Sequence, residues 1–212
     1  MPKRAYGHAQ PEERREADFY PTPDALALAC CQAVRKLVPR PHIILEPSAG
    51  SGAFVRAAMQ TWGVNVISVE IRPEAVAELE KLKAGNVYQM DFQEFLKMIP
   101  LERGTLVIGN PPYSLAQAHI MTCLDYLLPG DSIAFLLKLG FLGTKDRADA
   151  LWKIGQCKYL LPILGRPSFV KGTHATSDVN EYGLFVWEAG YNGPMTVLFP
   201  HIRGKKERSS GS

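Results

Sequence analysis

The chain has 212 residues, of which 46% are hydrophobic and 21% charged, with a formal net charge of +3 and a pI near 8.6. That length suits one domain with at most a small appendage, and no apolar run is long enough to span a bilayer. The opening MPKRAYGHAQPEERREADFY lacks the apolar core of a secretion signal, and Cys30, Cys31, Cys123 and Cys157 form no CxxC pair. The cysteines fit neither a zinc site nor a disulfide framework. They read as reduced core residues of a cytoplasmic protein, and no metal site is expected.

Residues 1–17 are charged and polar without periodicity, which predicts a mobile arm, and residues 201–212 read as a disordered tail. The body between them, 18–200, reads as a single domain. PTPDALALACCQAVRKLV predicts a helix with Thr22 as N-cap and Pro23 at the first helical position. Strands are predicted at 42–46, 65–70, 86–90, 105–109 and 131–139. Helices are predicted at 53–62, 73–84, where Gly85 terminates, and from about 115 to 127. Strand–helix alternation implies a parallel sheet covered by helices on both faces. KYLLPIL and YGLFVWEA read as two later strands joined by a long polar loop, which predicts an antiparallel edge.

Three strand ends carry candidate chemistry. EPSAGSGAF places Glu46, Gly50 and Gly52 at a tight strand–helix turn, where glycine lets the backbone approach a ligand. Glu70 follows about twenty residues on, at the spacing of an acid that accepts from ribose hydroxyls. Asp91 and Phe92 end the third strand. Asp91 is placed to accept from an adenine amino group or, alternatively, to cap the following helix, and Phe92 to pack on the ring or in the core. The full GxGxxG spacing is absent, so the pattern is a nucleoside site without a pyrophosphate grip. This favours S-adenosylmethionine over a nicotinamide cofactor.

GNPPYS, Gly109 to Ser114, then falls at the end of the fourth strand, on the edge of the sheet where α/β proteins bind ligands. Pro111 and Pro112 stop the ladder and leave carbonyl acceptors with no N–H beside them. Asn110 adds a side-chain carbonyl and Tyr113 a flat ring. Together they suit a planar –NH2 group held by acceptors and stacked on an aromatic face.

On these motifs the chain resembles a class I S-adenosylmethionine-dependent DNA adenine-N6 methyltransferase of the phage and restriction–modification kind. The likeness runs from about Asp18 to Trp187. It implies a Rossmann-like class I methyltransferase fold, α/β with a mostly parallel sheet and an antiparallel edge strand. DFYPTP resembles the family's segment that holds the methionine end of the cofactor, which implies contacts from Tyr20 and Thr22. Ser48 in the glycine turn and Ile71 beside Glu70 join the implied cofactor contacts, as does Asn110. RPSF resembles the segment carrying an aromatic that packs on the extruded base, which points to Phe169. The implied catalytic set is Asn110, Pro111, Pro112 and Tyr113, with Tyr113 and Phe169 binding the base. The implied partner is double-stranded DNA with its target adenine flipped out.

One departure matters. No large separate target-recognition domain is visible, so recognition is expected from loops within 141–180 or from the basic ends. Lys145, Arg147, Arg166, Lys171 and His174 are candidate phosphate contacts, and Asp178 and Glu181 candidate recognition residues. NPPY is shared with enzymes that methylate RNA bases or protein glutamine, which remain alternative substrates. A retired scaffold that only binds nucleic acid is the non-enzymatic alternative.

Overall fold

The structure is a computed structural model that describes residues 21–165, Pro167, 180–200 and Ile202. The expected roles of Tyr20 and Phe169 lie outside the described residues, as do Asp18, Arg166, Ser168, Lys171, His174, Asp178 and most of both terminal segments.

Helix α1 (Asp24–Val34) leads to β1 (Ile43–Glu46), α2 (Ala53–Trp62), β2 (Val66–Glu70), α3 (Pro73–Lys81), β3 (Val87–Gln89), α4 (Phe92–Met98), β4 (Thr105–Gly109), α5 (Ala116–Tyr126) and β5 (Ser132–Lys138). Two short 3₁₀ turns flank α6 (Lys145–Ala150) before β6 (Cys157–Pro162), β7 (Tyr182–Glu188) and β8 (Thr196–Val197). The eight strands form one sheet in the order β3-β2-β1-β4-β5-β7-β6-β8. β3 through β5 are mutually parallel, and β7 runs antiparallel to both β5 and β6. The expected antiparallel pairing is therefore present among the late strands at one end of a mostly parallel sheet.

Both faces of the sheet are covered, which explains why the central strands are apolar throughout. Ile44, Val66, Leu106, Ile108, Ala134 and Leu136 point toward α1 and α2. Leu45, Val69, Val107, Ile133, Phe135 and Leu137 point toward α4 and α5. On β7 the same alternation sends Leu184 and Val186 to the first core and Phe185 and Trp187 to the second. The second core ends in a stack, with Trp187 lying 5.8 Å from Phe185 and 6.3 Å from Trp152. All four cysteines are buried, as expected of core-filling residues, and burial pushes the Cys30 thiol up to about 12.

Three sequence-based assignments change. Pro23, extended at φ −60 and ψ 135, is the N-cap of α1, and no side chain caps that end. The Thr22 hydroxyl instead reaches Asn110. Helix α3 stops at Lys81 rather than 84, and Lys83, at φ 50, makes the left-handed turn. Third, the stretch from 141, expected as loop, contains α6 and buried Phe141 and Leu151, and β8 was not anticipated.

Gly85 serves a different purpose from ending a helix. Its φ is 143°, and a methyl group there would overlap the Val66 carbonyl oxygen, where the chain crosses the start of β2. Gly85→Ala is expected to destabilise the fold by about 1–3 kcal/mol. Urea denaturation measures this, and a change within experimental error would show that the crossing has room to shift.

Candidate functional site

β1 has β2 on one side and β4 on the other, so the two halves of the chain diverge between β1 and β4. Open α/β sheets bind ligands in the crevice at such a switch point. Here the turn after β1 and the loop after β4 frame a cavity of about 300 Å³. That is the lower end of the range for a small-molecule site.

Glu70 organises the floor of this cavity. Its Oε2 accepts from the Gly50 backbone N–H at 2.8 Å, and its Oε1 accepts from Ile71 N at 2.9 Å and Arg72 N at 3.0 Å. The Arg72 guanidinium adds an ion pair at 3.2 Å. Glu70 thus ties the glycine turn to the end of β2 while only 6% exposed. Gly52, at φ 78, is the N-cap of α2, a conformation that L side chains rarely adopt.

Glu46 lies beneath the same turn, 2% exposed, with its Oε1 accepting from Ser48 N at 3.2 Å. A methyl group on Gly109 would overlap that oxygen, so a side chain at the end of β4 would displace the Glu46 carboxyl. Burial raises the Glu46 carboxyl to about 8; the Ser48 N–H opposes this and the nearby Glu70 adds to it.

Asp91 caps α4, its Oδ1 accepting from Gln93 N at 2.8 Å and Glu94 N at 3.4 Å. The cap alternative is therefore realised, and the same residue also lines the cavity with Phe92.

The loop after β4 has two sides. Asn110 and Pro112 line the first cavity, and the Asn110 Nδ2 donates to Thr22 Oγ1 at 3.0 Å. Tyr113 lines a second cavity together with Lys138, Phe141, Arg147, Asn180 and Glu181. The Lys138 ammonium lies 4.9 Å from the centre of the Tyr113 ring. Arg147 donates to the Phe141 carbonyl at 3.1 Å and covers the Phe141 ring at 4.2 Å. It is thus built into the cavity wall, whereas Lys145 is exposed.

Of the residues singled out from sequence, Thr22, Glu46, Ser48, Gly50, Glu70, Ile71, Asp91, Phe92, Asn110 and Pro112 share the first cavity. Gly52 shapes the turn and Pro111 the loop without lining it. Sequence reading missed His119 on α5, which is 4% exposed, lines the same cavity and meets the edge of Phe92 at 5.0 Å. Its Nδ1 has no hydrogen-bond partner among the described residues. Its helical stripe with Ala116, Ile120 and Cys123, all buried, marks a core face and gives no sign of the cavity. Burial lowers the His119 imidazole to about 4, opposed by the Asp91 charge.

No protein-family model matches the chain. It is 24% identical over 119 residues to the type II methyltransferase M.NspV of Nostoc sp. (strain ATCC 29411 / PCC 7524), a match covering half of this chain and 24% of that protein. The chain thus spans about a quarter of that curated relative. Solved structures are similar over most of the chain. The type I restriction–modification methyltransferase subunit of Streptococcus thermophilus has a TM-score of 0.65 and 13% identity, covering 85% of this chain and 47% of that one. The type IIG restriction endonuclease BpuSI has a TM-score of 0.68 and 14% identity, covering 84% and 26%. An RNA methyltransferase of Salinibacter ruber, solved with S-adenosyl-L-homocysteine, has a TM-score of 0.52 and 17% identity, covering 82% and 96%. The fold is the class I methyltransferase fold. Among the described residues, no helix is long and apolar enough to cross a membrane.

The two perturbed groups give opposite pH slopes. Glu46 keeps its proton in the folded chain up to about 8, against 4.5 ordinarily, so its contribution to stability declines as pH rises through that window. His119 stays neutral in the folded chain down to about 4, against 6.5, so its contribution is lost as pH falls through that window. Between 4.5 and 6.5 the two oppose each other, and from 6.5 to 8 Glu46 acts alone. Glu46→Gln is expected to abolish a fall in the urea midpoint between pH 6.5 and 8, and His119→Asn to unmask a rise in the midpoint as pH falls from 6.5 to 4.5. A Glu46→Gln midpoint that still falls as in the wild type would show that the carboxyl is already ionised.

Proposed function

We propose that the chain transfers a methyl group from S-adenosylmethionine to the exocyclic N6 amine of an adenine flipped out of double-stranded DNA. The observation that carries this reading is the position of the Asn110–Tyr113 loop as a partition between two cavities. The side bearing Glu46, Glu70 and Asp91 suits the donor, and the side bearing Tyr113 suits the acceptor. Similarity to restriction–modification methyltransferases supports DNA as the substrate.

The first cavity fits S-adenosylmethionine chemically. Glu70 lines this cavity, and its two bonds from the Arg72 guanidinium, unlike its three backbone bonds, can be exchanged for ribose hydroxyls. Asp91 offers a carboxylate at the base end. Ile71, 46% exposed at the rim, and Phe92 offer apolar faces to a purine. The Glu70 and Asp91 side chains on this lining suit a positively charged ligand. Tyr20 belongs to this proposal through the family resemblance, with Ser48 and Gly50 supplying the turn.

When bound, the cofactor supplies an electrophilic methyl group on a sulfonium. The chain's part is to make a poor nucleophile reactive, because the lone pair of the adenine amine is delocalised into the ring. As that nitrogen attacks, it becomes tetrahedral and positive. The Asn110 Oδ1 and the Pro111 carbonyl accept from its two N–H groups more strongly in that state than before it. The Tyr113 ring carries the base, with Phe169 proposed on its other face. The surplus proton leaves after transfer, so no strong general base is required.

Incubation with labelled cofactor and unmethylated DNA, with RNA as competitor, is expected to label DNA, and sequencing to place the mark on adenine. Asn110→Ala should lower turnover by roughly 10²–10³ while cofactor affinity stays unchanged. Tyr113→Ala should show a milder loss and Tyr113→Phe little. Label appearing only on RNA or on glutamine would sink the DNA reading, and a fully active Asn110→Ala would sink the mechanism.

Glu70→Ala is expected to act differently. It strips the acceptor from three backbone N–H groups, so cofactor affinity and stability should fall together, each by about 1.5–3 kcal/mol. Calorimetry showing unchanged affinity in a folded variant would remove Glu70 from the site.

A further inference from the structure

Thr22 stands where a helix normally recruits a hydroxyl to its own first turn, yet it caps nothing. The extended Pro23 is the N-cap of α1, and the Pro23 carbonyl already accepts from Leu26 N and Ala27 N. The Thr22 hydroxyl instead accepts from the Asn110 Nδ2 at 3.0 Å, across 88 residues of sequence. Both partners stand immediately before a proline, Thr22 before Pro23 and Asn110 before Pro111. A residue in that position is confined to extended backbone. Thr22 also follows Pro21, so its hydroxyl is presented by a stiff Pro-Thr-Pro triplet, and Asn110 by a stiff Asn-Pro-Pro segment.

An amide side chain has a donor end and an acceptor end, and the two can be exchanged by a half-turn. Only one orientation serves an incoming amine, the one that offers Oδ1. The reverse would set the Asn110 NH2 against the donor protons of the substrate. We propose that Thr22 is a positioning residue that holds the Asn110 amide with its carbonyl turned to the methyl-accepting amine. The hydroxyl accepts from one of the two Nδ2 N–H groups, which fixes the place of the amide and leaves Oδ1 as the end not engaged with Thr22. This inference rests on the reading of Asn110 given under the proposed function. It separates Thr22 from the cofactor contacts with which the family resemblance groups it.

The test is a split between turnover and cofactor affinity. Thr22→Val keeps the shape and removes the hydroxyl, and Thr22→Ser keeps the hydroxyl and removes the methyl. At saturating S-adenosylmethionine and DNA, Thr22→Val is expected to lower kcat by about 3- to 10-fold, the equivalent of one hydrogen bond. Its calorimetric affinity for S-adenosylmethionine should match the wild type. Thr22→Ser should restore kcat. In an Asn110→Ala background, Thr22→Val should cause no further loss, because the two residues act as a unit. Nitrogen-15 spectra report the bond without catalysis, since the Asn110 side-chain NH2 signal should shift in Thr22→Val and return in Thr22→Ser.

A Thr22→Val enzyme with wild-type kcat and weakened cofactor binding would overturn the proposal and make Thr22 a cofactor contact. Equal losses in Val and Ser variants would overturn it as well. Should Thr22→Val fail to fold, Thr22→Ala, read by the same kcat, affinity and spectral measurements, decides. Failure of the broader reading looks different, because there the wild-type chain itself transfers no methyl group to DNA, and the positioning role falls with it.

Discussion

A single carboxylate holds the candidate site together. Glu70 accepts three backbone N–H groups, one from the glycine turn and two from the start of the segment after β2. Those donors belong to loops that could otherwise move independently. A charged acceptor makes each bond stronger than a neutral one and fixes the turn at the strand end. The positions of Ser48, Gly50 and Ile71 around the first cavity follow from it. Glu70 is thereby both a scaffold element and a candidate ligand contact.

Much of the fold was legible because local and global signals agree. Strand–helix alternation and apolar strands led to a mostly parallel sheet covered on both sides, and α2 and β4 match the sequence-based spans residue for residue. Errors arose where a nonlocal contact overrode a local preference. Thr22 has the chemistry of an N-cap, but its partner is Asn110, 88 residues on in the chain. Gly85 has the chemistry of a helix terminator, but the tight crossing over Val66 is what demands it. Helix α6 and strand β8 are short, and segments of that length carry little periodicity.

The site divides in the same way. Residues at strand ends announced themselves by position, because the carboxyl edge of a parallel sheet is where ligands gather. His119 did not, since it comes from the body of a helix and resembles a core residue in every local respect. The second cavity was also hidden from sequence, as its walls come from Tyr113, β5, the turn after it, Arg147 and the two residues before β7. Its Arg147 was expected to face phosphate and instead packs on Phe141. One-dimensional charge patterns do not distinguish a solvated arginine from one folded back onto an aromatic ring.

The long-range tie between the first helix and the loop after β4 bears on how the molecule assembles. β4 pairs with β1, bringing Thr105 beside Ile43, and the loop is then stitched to residue 22. Closing so large a loop is entropically costly until other contacts have brought its ends together. The Thr22–Asn110 bond is therefore expected to form only once β1 and β4 have paired. During synthesis, Thr22 is made 88 residues before the Asn110 that bonds to it.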